Sequence, residues 1–410
     1  MNALSALAEN RGHQLRLLAR AGKALQPELA MLLACIARPP TTPTDWSTFA
    51  PSDRAIDLQR FVALAVHHRV SPLVQSAISH APARPDAALD RLAKESRTAA
   101  LYALQLGRAA LEVQRAFDAE GLPNLILKGA PLAVLAFGDV GLKDSRDVDL
   151  WVSADHVAEA CDLLGRLGYR LIEPPDLDEA AFRRYTAYSK EASLRHETTG
   201  MTIDLHWRLV DNPYILQDVT LGGPVQWAPV GPGQVRTLAD EPLFAYLCVH
   251  GAVHNWARLK WLAELNAWLS HRSAPDLAQL YAAAAALGAG RPARLALLLC
   301  HRLLGLDLPQ EVHRAIHRDP VTIRLAANAV AGMATTDDSR RWSVQRVRAT
   351  LGPLFLGGWA FFGHQLRISA VHPGERARLG LPQRLSFVYY LLRLPLWALA
   401  RVRSATRRAA

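Results

Sequence analysis

Apolar residues recur at helical spacing along the first 120 residues of the chain, most clearly over Leu15–Ile36 and Ala88–Phe117. The proline-containing stretches Pro39–Pro51 and Pro82–Pro85 interrupt this pattern. No stretch here alternates strictly between apolar and polar residues, which is the pattern of a half-buried strand. The sequence therefore predicts an N-terminal helical region that is broken by turns.

The pattern changes after Gly121, where strands and helices begin to alternate. Residues 124–127 form a short apolar run that favours a strand. Ala130–Phe137 is the next predicted helix, because Pro131 lies in its first turn, where a missing N–H group costs least. We expect residues 138–146 to form a loop.

Three further runs predict strands. Asp147–Val152 alternates between polar and apolar residues, and Ser193–His196 and Met201–Leu209 are also of β type. Residues 197–200 join the last two runs and predict a hairpin. Between the first and second runs, Ala154–Leu167 is predicted as a helix with Ser153 as its N-cap.

We interpret the Gly/Pro-rich residues 221–233 as a connector, after which helical spacing returns until the end of the chain. A chain of 410 residues is too long for one ordinary core. We therefore expect an N-terminal helical region (1–95), an α+β core (96–235) and a C-terminal helical region with a basic tail (236–410). The expected fold class is α+β.

The charge of the chain is concentrated at its C-terminal end. The formal net charge is +10, but Arg340–Ala410 holds thirteen Arg and one Glu, so the rest of the chain is close to neutral. Two interpretations stay open for this basic segment: contact with an anionic membrane, or a solvated basic face.

Other sequence features concern location. We find no signal peptide, no apolar run long enough to span a bilayer and no Cys-x-x-Cys pair among the four cysteines. We therefore expect a cytoplasmic protein, or one peripheral at the inner membrane face, without a disulfide framework or a zinc site.

Two carboxylates share one face of the predicted strand Asp147–Val152. Side chains at positions i and i+2 of a strand lie on the same side, so Asp147 and Asp149 project together. Two ionised carboxylates this close repel unless a cation lies between them. Mg²⁺ takes hard oxygen ligands and bridges carboxylates to phosphates, so the pair predicts a magnesium site. We interpret the same spacing at Asp176 and Asp178 as a helix cap.

Cations suited to phosphate lie nearby. The strand–Lys128–Gly129–helix arrangement directs free backbone N–H groups at an anion, and glycine lets a phosphate approach the backbone closely. Lys143 and Arg146 lie between this turn and the two aspartates. The chain has only six Lys against 41 Arg. Where arginine is the usual cation, a lysine indicates the need for a compact point charge.

The run Met201–Leu209 offers a third carboxylate. Asp204 and His206 share one face of this predicted strand, so Asp204 completes the metal site if the two strands are neighbours. We expect His206 at the rim of the site, where it touches phosphate, acts as a base or is simply hydrogen-bonded.

Two further histidines, His250 and His254, lie four residues apart on a predicted helix, a spacing that can bind a metal. No Glu follows His250, so the metal-binding interpretation is the weaker one. Packing of this helix against the catalytic cleft is favoured, with Arg258 and Lys260 directed at substrate.

These residues together resemble the uncharacterised bacterial nucleotidyltransferase family of the polymerase-β superfold. The motifs that carry the resemblance are Leu127-Lys128-Gly129, Arg146-x-x-Asp149 with Asp147, and Ile203-Asp204-Leu205-His206-Trp207. The helical segment His250–Leu262 is similar to the region that follows the family's catalytic core. In this chain Ala130 replaces the serine of the superfamily's Gly-Ser motif, and the spacing from Gly129 to Asp147 is longer than the superfamily norm.

The resemblance implies transfer of a nucleoside monophosphate from an NTP co-substrate to an acceptor hydroxyl, with release of pyrophosphate and with one or two Mg²⁺ ions as cofactor. The implied catalytic and metal-binding residues are Asp147, Asp149 and Asp204. The implied nucleotide-binding residues are Lys128, Gly129, Lys143, Arg146 and His206.

Two alternatives keep the same fold: kinase-like phosphoryl transfer, and a non-catalytic nucleotide-binding or scaffold module. Clustered carboxylates are costly without a metal, which argues against the scaffold. The acceptor stays open between a small molecule, a sugar and a peptide. We expect no specific nucleic acid as partner, because the chain shows no recognised nucleic-acid module.

Overall fold

The computed structural model describes residues 26–37, 56–79, 86–333 and 351–380, together with Tyr389. Within these residues the chain forms fifteen α-helices, a five-stranded mixed sheet and a two-stranded hairpin. The predicted α+β class is confirmed. Residues 1–25, the stretch Pro39–Pro51, the turn Pro82–Pro85 and most of the basic segment Arg340–Ala410 lie outside the described residues, so the expectations for them stay predictions.

Among the described residues before the sheet there are four helices: α1 (Pro27–Ile36), α2 (Leu58–His67), α3 (Ser71–Ile78) and α4 (Ala87–Ala119). Prolines occupy the first turns of α1 and α3. Asp86 caps α4 by accepting a hydrogen bond from Ala88 N at 2.8 Å. The helical spacing over Ala88–Phe117 is confirmed by α4.

The sheet consists of β1 (Asn124–Ile126), β2 (Asp147–Val152), β3 (Tyr169–Glu173), β4 (Glu191–His196) and β5 (Thr202–His206). Its order is β1-β2-β5-β4-β3. The central strands β2 and β5 are parallel, whereas every other neighbouring pair of this sheet is antiparallel. The predicted hairpin across residues 197–200 is confirmed, because it joins β4 to β5.

Three helices lie between the strands: α5 (Ala130–Phe137), α6 (Val157–Arg166) and α7 (Glu179–Thr186). Ser153 occupies the predicted N-cap position, before a short 3-10 helix, Ala154–His156, that leads into α6, but its side chain makes no capping hydrogen bond. Asp178 does cap α7, accepting a hydrogen bond from Ala181 N at 2.7 Å. The interpretation of the second Asp-x-Asp as a cap is therefore confirmed.

The interpretation of residues 221–233 as a connector is wrong. Val225–Val230 (β6) and Gly233–Leu238 (β7) form an antiparallel hairpin, with Gly231 in a left-handed conformation at the turn. β6 packs against α5, and β7 packs against β1. These contacts are remote in sequence, and they stabilise a strand that contains Pro229, a residue that usually argues against a strand.

Helical structure returns at Asp240, after β7, and not directly after residue 233 as predicted. The helices are α8 (Asp240–Val253), α9 (Leu259–Leu269), α10 (Ala274–Ala286), α11 (Gly290–Leu304), α12 (Gln310–His317), α13 (Pro320–Met333), α14 (Trp359–Ser369) and α15 (Pro373–Leu379). None of the helices that the structure describes is both long and apolar enough to cross a membrane.

Two apolar cores hold these elements together. One core packs α4 and α6 against the sheet and includes Phe117 and Leu205. The other joins the N-terminal helices to the helices that follow the sheet, and it includes Phe61 and Phe244. Trp151 of β2 also belongs to this second core. The helices after residue 240 are therefore fixed against the strands that carry the aspartates.

Candidate active site

Three aspartate side chains meet where β2 and β5 run side by side. The parallel register places Asp149 opposite Asp204 and Asp147 opposite Thr202. Because alternate residues of a strand lie on one face, the three aspartates project together. One oxygen of each carboxylate lies within 4.8 Å of the others. The intervening Val148 is buried and anchors β2 in the core.

Asp149 is the most buried member of this cluster, with 1% of its surface exposed. Its Oδ1 contacts Lys128 Nζ, and His206 Nε2 lies 3.2 Å from the same oxygen. Burial raises the pKa of Asp149, but the charge of Lys128 and the hydrogen bond from His206 outweigh burial and hold the pKa well below its usual range. The carboxylate of Asp149 is therefore ionised.

Asp204 has the opposite electrostatic balance. Ser193 lies opposite it on β4 and donates a hydrogen bond from Oγ to Asp204 Oδ1 at 2.5 Å. Burial and the negative charges of Asp149 and Asp147 nevertheless raise the pKa of Asp204 to about 6. Asp204 is thus repelled by the neighbouring carboxylates, and a cation between them would relieve this repulsion.

A divalent cation fits the cluster. Asp149 Oδ2 is buried and accepts no hydrogen bond from any residue that the structure describes. The donor set of Asp147, Asp149 and Asp204 is purely carboxylate oxygen, which Mg²⁺ prefers. Within the described part of the chain, these three form the one cluster of His, Cys, Asp or Glu able to hold a metal ion.

Gly129 forms the turn that leads from β1 into α5. Its φ of 77° lies in the left-handed region that residues with a side chain rarely adopt. A Cβ atom at this position would lie 3.7 Å from the backbone oxygen of Asp147, so the turn is adjacent to the carboxylate cluster. The first N–H groups of a helix have no partner within it and carry the positive end of its dipole. The start of α5 therefore favours an anion beside the aspartates.

A cavity of about 230 Å³ surrounds the carboxylates, and we call it the charged chamber. Its charged lining residues are Arg69, Lys128, Lys143, Asp147, Asp149, Lys190, Glu191, Asp204 and Lys260. Gly129, Ser145, His206, His250, His254 and Trp261 complete the lining. Four of the six lysines of the chain lie in this one cavity. The concentration of a rare residue here indicates a requirement for compact positive charge.

Helix α9 positions two of these lysines, because it carries Lys260 and also Glu264, the partner of Lys143. Lys143 Nζ contacts Glu264 Oε1, and both side chains are about 95% buried, with 4% and 5% exposed. Lys260 lies one turn before Glu264 on the same helix and also lines the chamber. Burial and the charge of Lys143 lower the pKa of Lys260 to about 8. The amine of Lys260 is therefore close to its titration midpoint in mildly alkaline solution.

Arg146 is the predicted site residue that does not line the chamber. Its Nε donates to Asp144 Oδ1 at 2.9 Å, and the side chain is 56% exposed. Its part in nucleotide binding stays a prediction.

His206 lies deeper than expected, because its side chain is only 2% exposed. Nε2 approaches Asp149, and Nδ1 lies 3.1 Å from Glu191 Oε2. The expectation of a position at the rim is wrong, because residues remote in sequence, such as His250 and Trp261, enclose the same chamber. His206 therefore orients Asp149 through Nε2, while its Nδ1 faces Glu191 without a hydrogen bond.

Aromatic rings of α8 and α9 form part of the chamber wall. The rings of His250 and His254 lie 4.8 Å apart, and His254 stacks on Trp261 at 5.0 Å. Burial lowers the pKa of His254 to about 4 and that of His250 well below its usual range, so both rings are neutral at pH 7. The expected packing of this helix against the cleft is present. Arg258 instead donates to the backbone oxygen of His67.

Three of the charged lining residues were not predicted from the sequence: Arg69, Lys190 and Glu191. The rarity of lysine was a signal that applied equally to Lys190. Glu191 and Arg69 belong to no motif, and they reach the chamber through strand pairing and through the packing of α2 and α3.

The family described as uncharacterised nucleotidyltransferase matches residues 54–305, which is more than half of the chain. The matched span includes every lining residue of the charged chamber and ends before α14. Comparison with curated proteins and with solved structures gave no match.

Proposed function

We propose that this chain, which belongs to the uncharacterised nucleotidyltransferase family, transfers a nucleoside monophosphate from an NTP to an acceptor hydroxyl. The observation that carries the proposal is one chamber that combines three clustered carboxylates with four lysines. Phosphoryl-group transfer depends mainly on positioning and on neutralisation of phosphate charge, and this chamber offers groups for both.

Asp147, Asp149 and Asp204 are the residues that would hold one or two Mg²⁺ ions. When bound, the metal supplies charge neutralisation at the phosphate oxygens and orients the triphosphate. His206 keeps Asp149 in place through the Nε2–Oδ1 contact of 3.2 Å. This contact also leaves Asp149 Oδ2 available as a ligand atom.

The lysines and the start of α5 would bind the triphosphate. Lys128 and Lys260 present ammonium groups to the phosphate oxygens, and the N–H groups that follow Gly129 donate to them. Lys143 is already paired with Glu264, so it holds the loop before β2 beside the phosphates. Charge-assisted hydrogen bonds of this kind strengthen as negative charge develops on the leaving pyrophosphate.

The reaction is an in-line substitution at the α-phosphorus. The acceptor oxygen forms a new bond to this phosphorus, while the bond from the phosphorus to the α,β-bridging oxygen breaks. Pyrophosphate leaves with the electron pair of the broken bond. The proton of the acceptor hydroxyl passes to Asp204, whose carboxylate lies in the same cluster.

The direct test incubates the purified full chain with Mg²⁺, an NTP labelled at the α-phosphate, and an extract of small molecules, sugars and peptides from the producing cells. We expect an acceptor to gain the mass of a nucleoside monophosphate, with pyrophosphate as the second product. Asp149→Ala should abolish both products. Asp178→Ala, in the other Asp-x-Asp of the chain, is the matched control and should retain them.

Three results would contradict the proposal. Equal transfer by Asp149→Ala removes the assigned site from the reaction. A product heavier by one phosphate replaces nucleotidyl transfer with kinase-like transfer. Absence of Mg–nucleotide binding in calorimetry favours a non-catalytic module. The identity of the acceptor, the cytoplasmic location and the contact of the basic segment with an anionic membrane stay predictions.

A further inference from the structure

A second cavity of about 70 Å³ adjoins the charged chamber, and we call it the apolar chamber. Its hydrophobic wall consists of Leu209, Val210, Ile215, Val249, Val253 and Phe361. Lys190, His250 and His254 line both cavities. The two cavities are therefore adjacent, and these three residues form the wall that they share.

Helix α14 forms part of the wall of the apolar chamber and lies outside the span that the family match covers. Phe361 and Gln365 of this helix line the cavity, and Phe361 is 4% exposed. Asn212 holds both residues: its Nδ2 donates to Phe361 O at 3.1 Å and to Gln365 Oε1 at 3.0 Å. The side chain of Asn212 is itself oriented, because its Oδ1 accepts a hydrogen bond from Tyr214 N at 3.2 Å.

Two of the polar groups that line the chamber are available to a ligand. Gln365 Oε1 is already used, and Gln365 Nε2 donates to no residue that the structure describes. Asp211 also lines the cavity, and its carboxylate accepts no hydrogen bond from the described residues. Beside its hydrophobic wall the chamber therefore offers one donor and one carboxylate acceptor, in addition to Tyr246 and to the three residues that it shares with the charged chamber.

The size of the chamber selects a single ring system. About 10–15 Å³ of such space holds one water, so the cavity has room for roughly five waters, about the volume of one small ring system. A sugar carries hydroxyl groups around its whole edge, and hydrophobic walls would leave several of them without partners, at a cost for each. A nucleobase has apolar faces and polar groups only at its edge, which matches this lining.

We propose that the apolar chamber binds the nucleobase of the NTP, with Phe361 packing against its face and with Gln365 and Asp211 contacting its edge. The inference rests on the proposed function, because it assumes that the triphosphate occupies the charged chamber. A carboxylate accepts hydrogen bonds from amino groups. The chamber therefore favours bases with an exocyclic amino group over uracil, and α14 is a determinant of which NTP the protein uses.

The experiment compares ATP, UTP and inorganic triphosphate, each with Mg²⁺, in calorimetric titrations of the full chain. Inorganic triphosphate is the matched probe, because it can fill the charged chamber but has no base. We expect wild type to bind ATP more tightly than either of the other two. Phe361→Ala should weaken ATP binding by about tenfold, the size of a lost base–aromatic contact, and leave triphosphate binding unchanged.

Two further variants keep the test decisive if Phe361→Ala does not fold. Gln365→Ala changes a half-buried amide and should weaken ATP binding alone. Asp211→Asn should reduce the preference for ATP over UTP. Leu366→Ala is the control on the same helix, since Leu366 is 53% exposed and does not line the chamber.

The outcomes separate this inference from the proposed function. If the α14 variants leave ATP binding unchanged, or weaken ATP and triphosphate equally, the base does not occupy the apolar chamber, and the acceptor becomes its candidate occupant. If wild type binds neither ATP nor triphosphate, the proposed function itself fails, and the nucleobase assignment fails with it.

Discussion

The charged chamber and the apolar chamber share one wall but differ in what they are made of. Four carboxylates and five cations line the charged chamber, and all of them lie in the span that matches the family. Hydrophobic side chains make up about half of the lining of the apolar chamber, and α14, which lies beyond that span, forms part of its wall. The carboxylates and cations of the charged chamber are thus separated in sequence from α14, which lines the apolar chamber.

The largest expected difference between the chambers concerns turnover. Asp149→Ala removes the central carboxylate of the charged chamber, so we expect transfer to fall by roughly 10³-fold, because a bound metal contributes several kcal/mol and each 1.36 kcal/mol is a factor of ten. The measurement is the initial rate of pyrophosphate release. A rate near that of wild type would show that the charged chamber is not the reaction centre.

Stability provides the second contrast, since the charged chamber contains buried ions and the apolar one depends on packing. Glu264→Gln leaves the ammonium of Lys143 buried without its partner, which should lower the free energy of unfolding by about 3 kcal/mol. Urea unfolding measures this change. The double variant with Lys143→Met should recover part of the loss, and simple additivity of the two losses would contradict a direct pairing.

Lys190 tests the wall that both chambers share. Lys190→Met removes a cation from the junction and should weaken the binding of ATP and of inorganic triphosphate by a similar factor, about tenfold for a lost charge-assisted contact. Calorimetry with the two probes measures both effects. An effect on ATP alone would move Lys190 from the phosphate site to the nucleoside.

The smallest expected effect is a pH dependence confined to the charged chamber. The pKa of Lys260 is lowered to about 8, so its amine is protonated at pH 7 and largely neutral at pH 9. Triphosphate binding should therefore weaken several-fold across this interval, and Lys260→Arg should flatten the profile. A wild-type profile that is already flat would remove Lys260 from the phosphate contacts.

The stability of the unliganded protein should change in the opposite direction over the same pH interval. Folding lowers the pKa of Lys260, so above about pH 8 the unfolded chain binds more protons than the folded one. The contribution of this residue to the free energy of unfolding therefore rises with pH, up to the ordinary pKa of lysine. Urea unfolding of wild type and Lys260→Arg at several pH values measures the difference.

Local features of the site were predictable from the sequence, whereas the burial of its side chains and the lining residues from remote elements were not. Alternation identified β2 and β5, and with them the shared face of Asp147 and Asp149, because strand period is a local property. The burial of His206 depends on the helices that enclose the chamber, and Glu191 enters the site through the pairing of β4 with β5. Arg146 lies in the expected stretch of sequence, yet Asp144, two residues away, binds its guanidinium.

The fold shows the same difference between features set by local sequence and features set by long-range contacts. Proline in the first turn marked α5, and the four residues 197–200 marked the β4–β5 hairpin, since both signals are short. Strand β6 was not predicted, because Pro229 interrupts its strand pattern. Its stabilising contacts come from α5, about 90 residues earlier in the sequence. The parallel pairing of β2 with β5 was also out of reach, because it requires the whole intervening crossover.

The contact between Lys128 and Asp149 affects how a metal ion and a nucleotide would bind to the site. A tethered ammonium already serves as counter-ion, so the protein needs no metal to tolerate its buried carboxylate, and a chelator should not unfold it. A free divalent ion would have to compete with the Lys128 ammonium for the Asp149 carboxylate. A metal ion that is already bound to a nucleotide would bring phosphates with it, and these phosphates would pair with the displaced Lys128 ammonium. We therefore expect the order of addition to be built into the resting site, with the metal–nucleotide complex captured in preference to free ion.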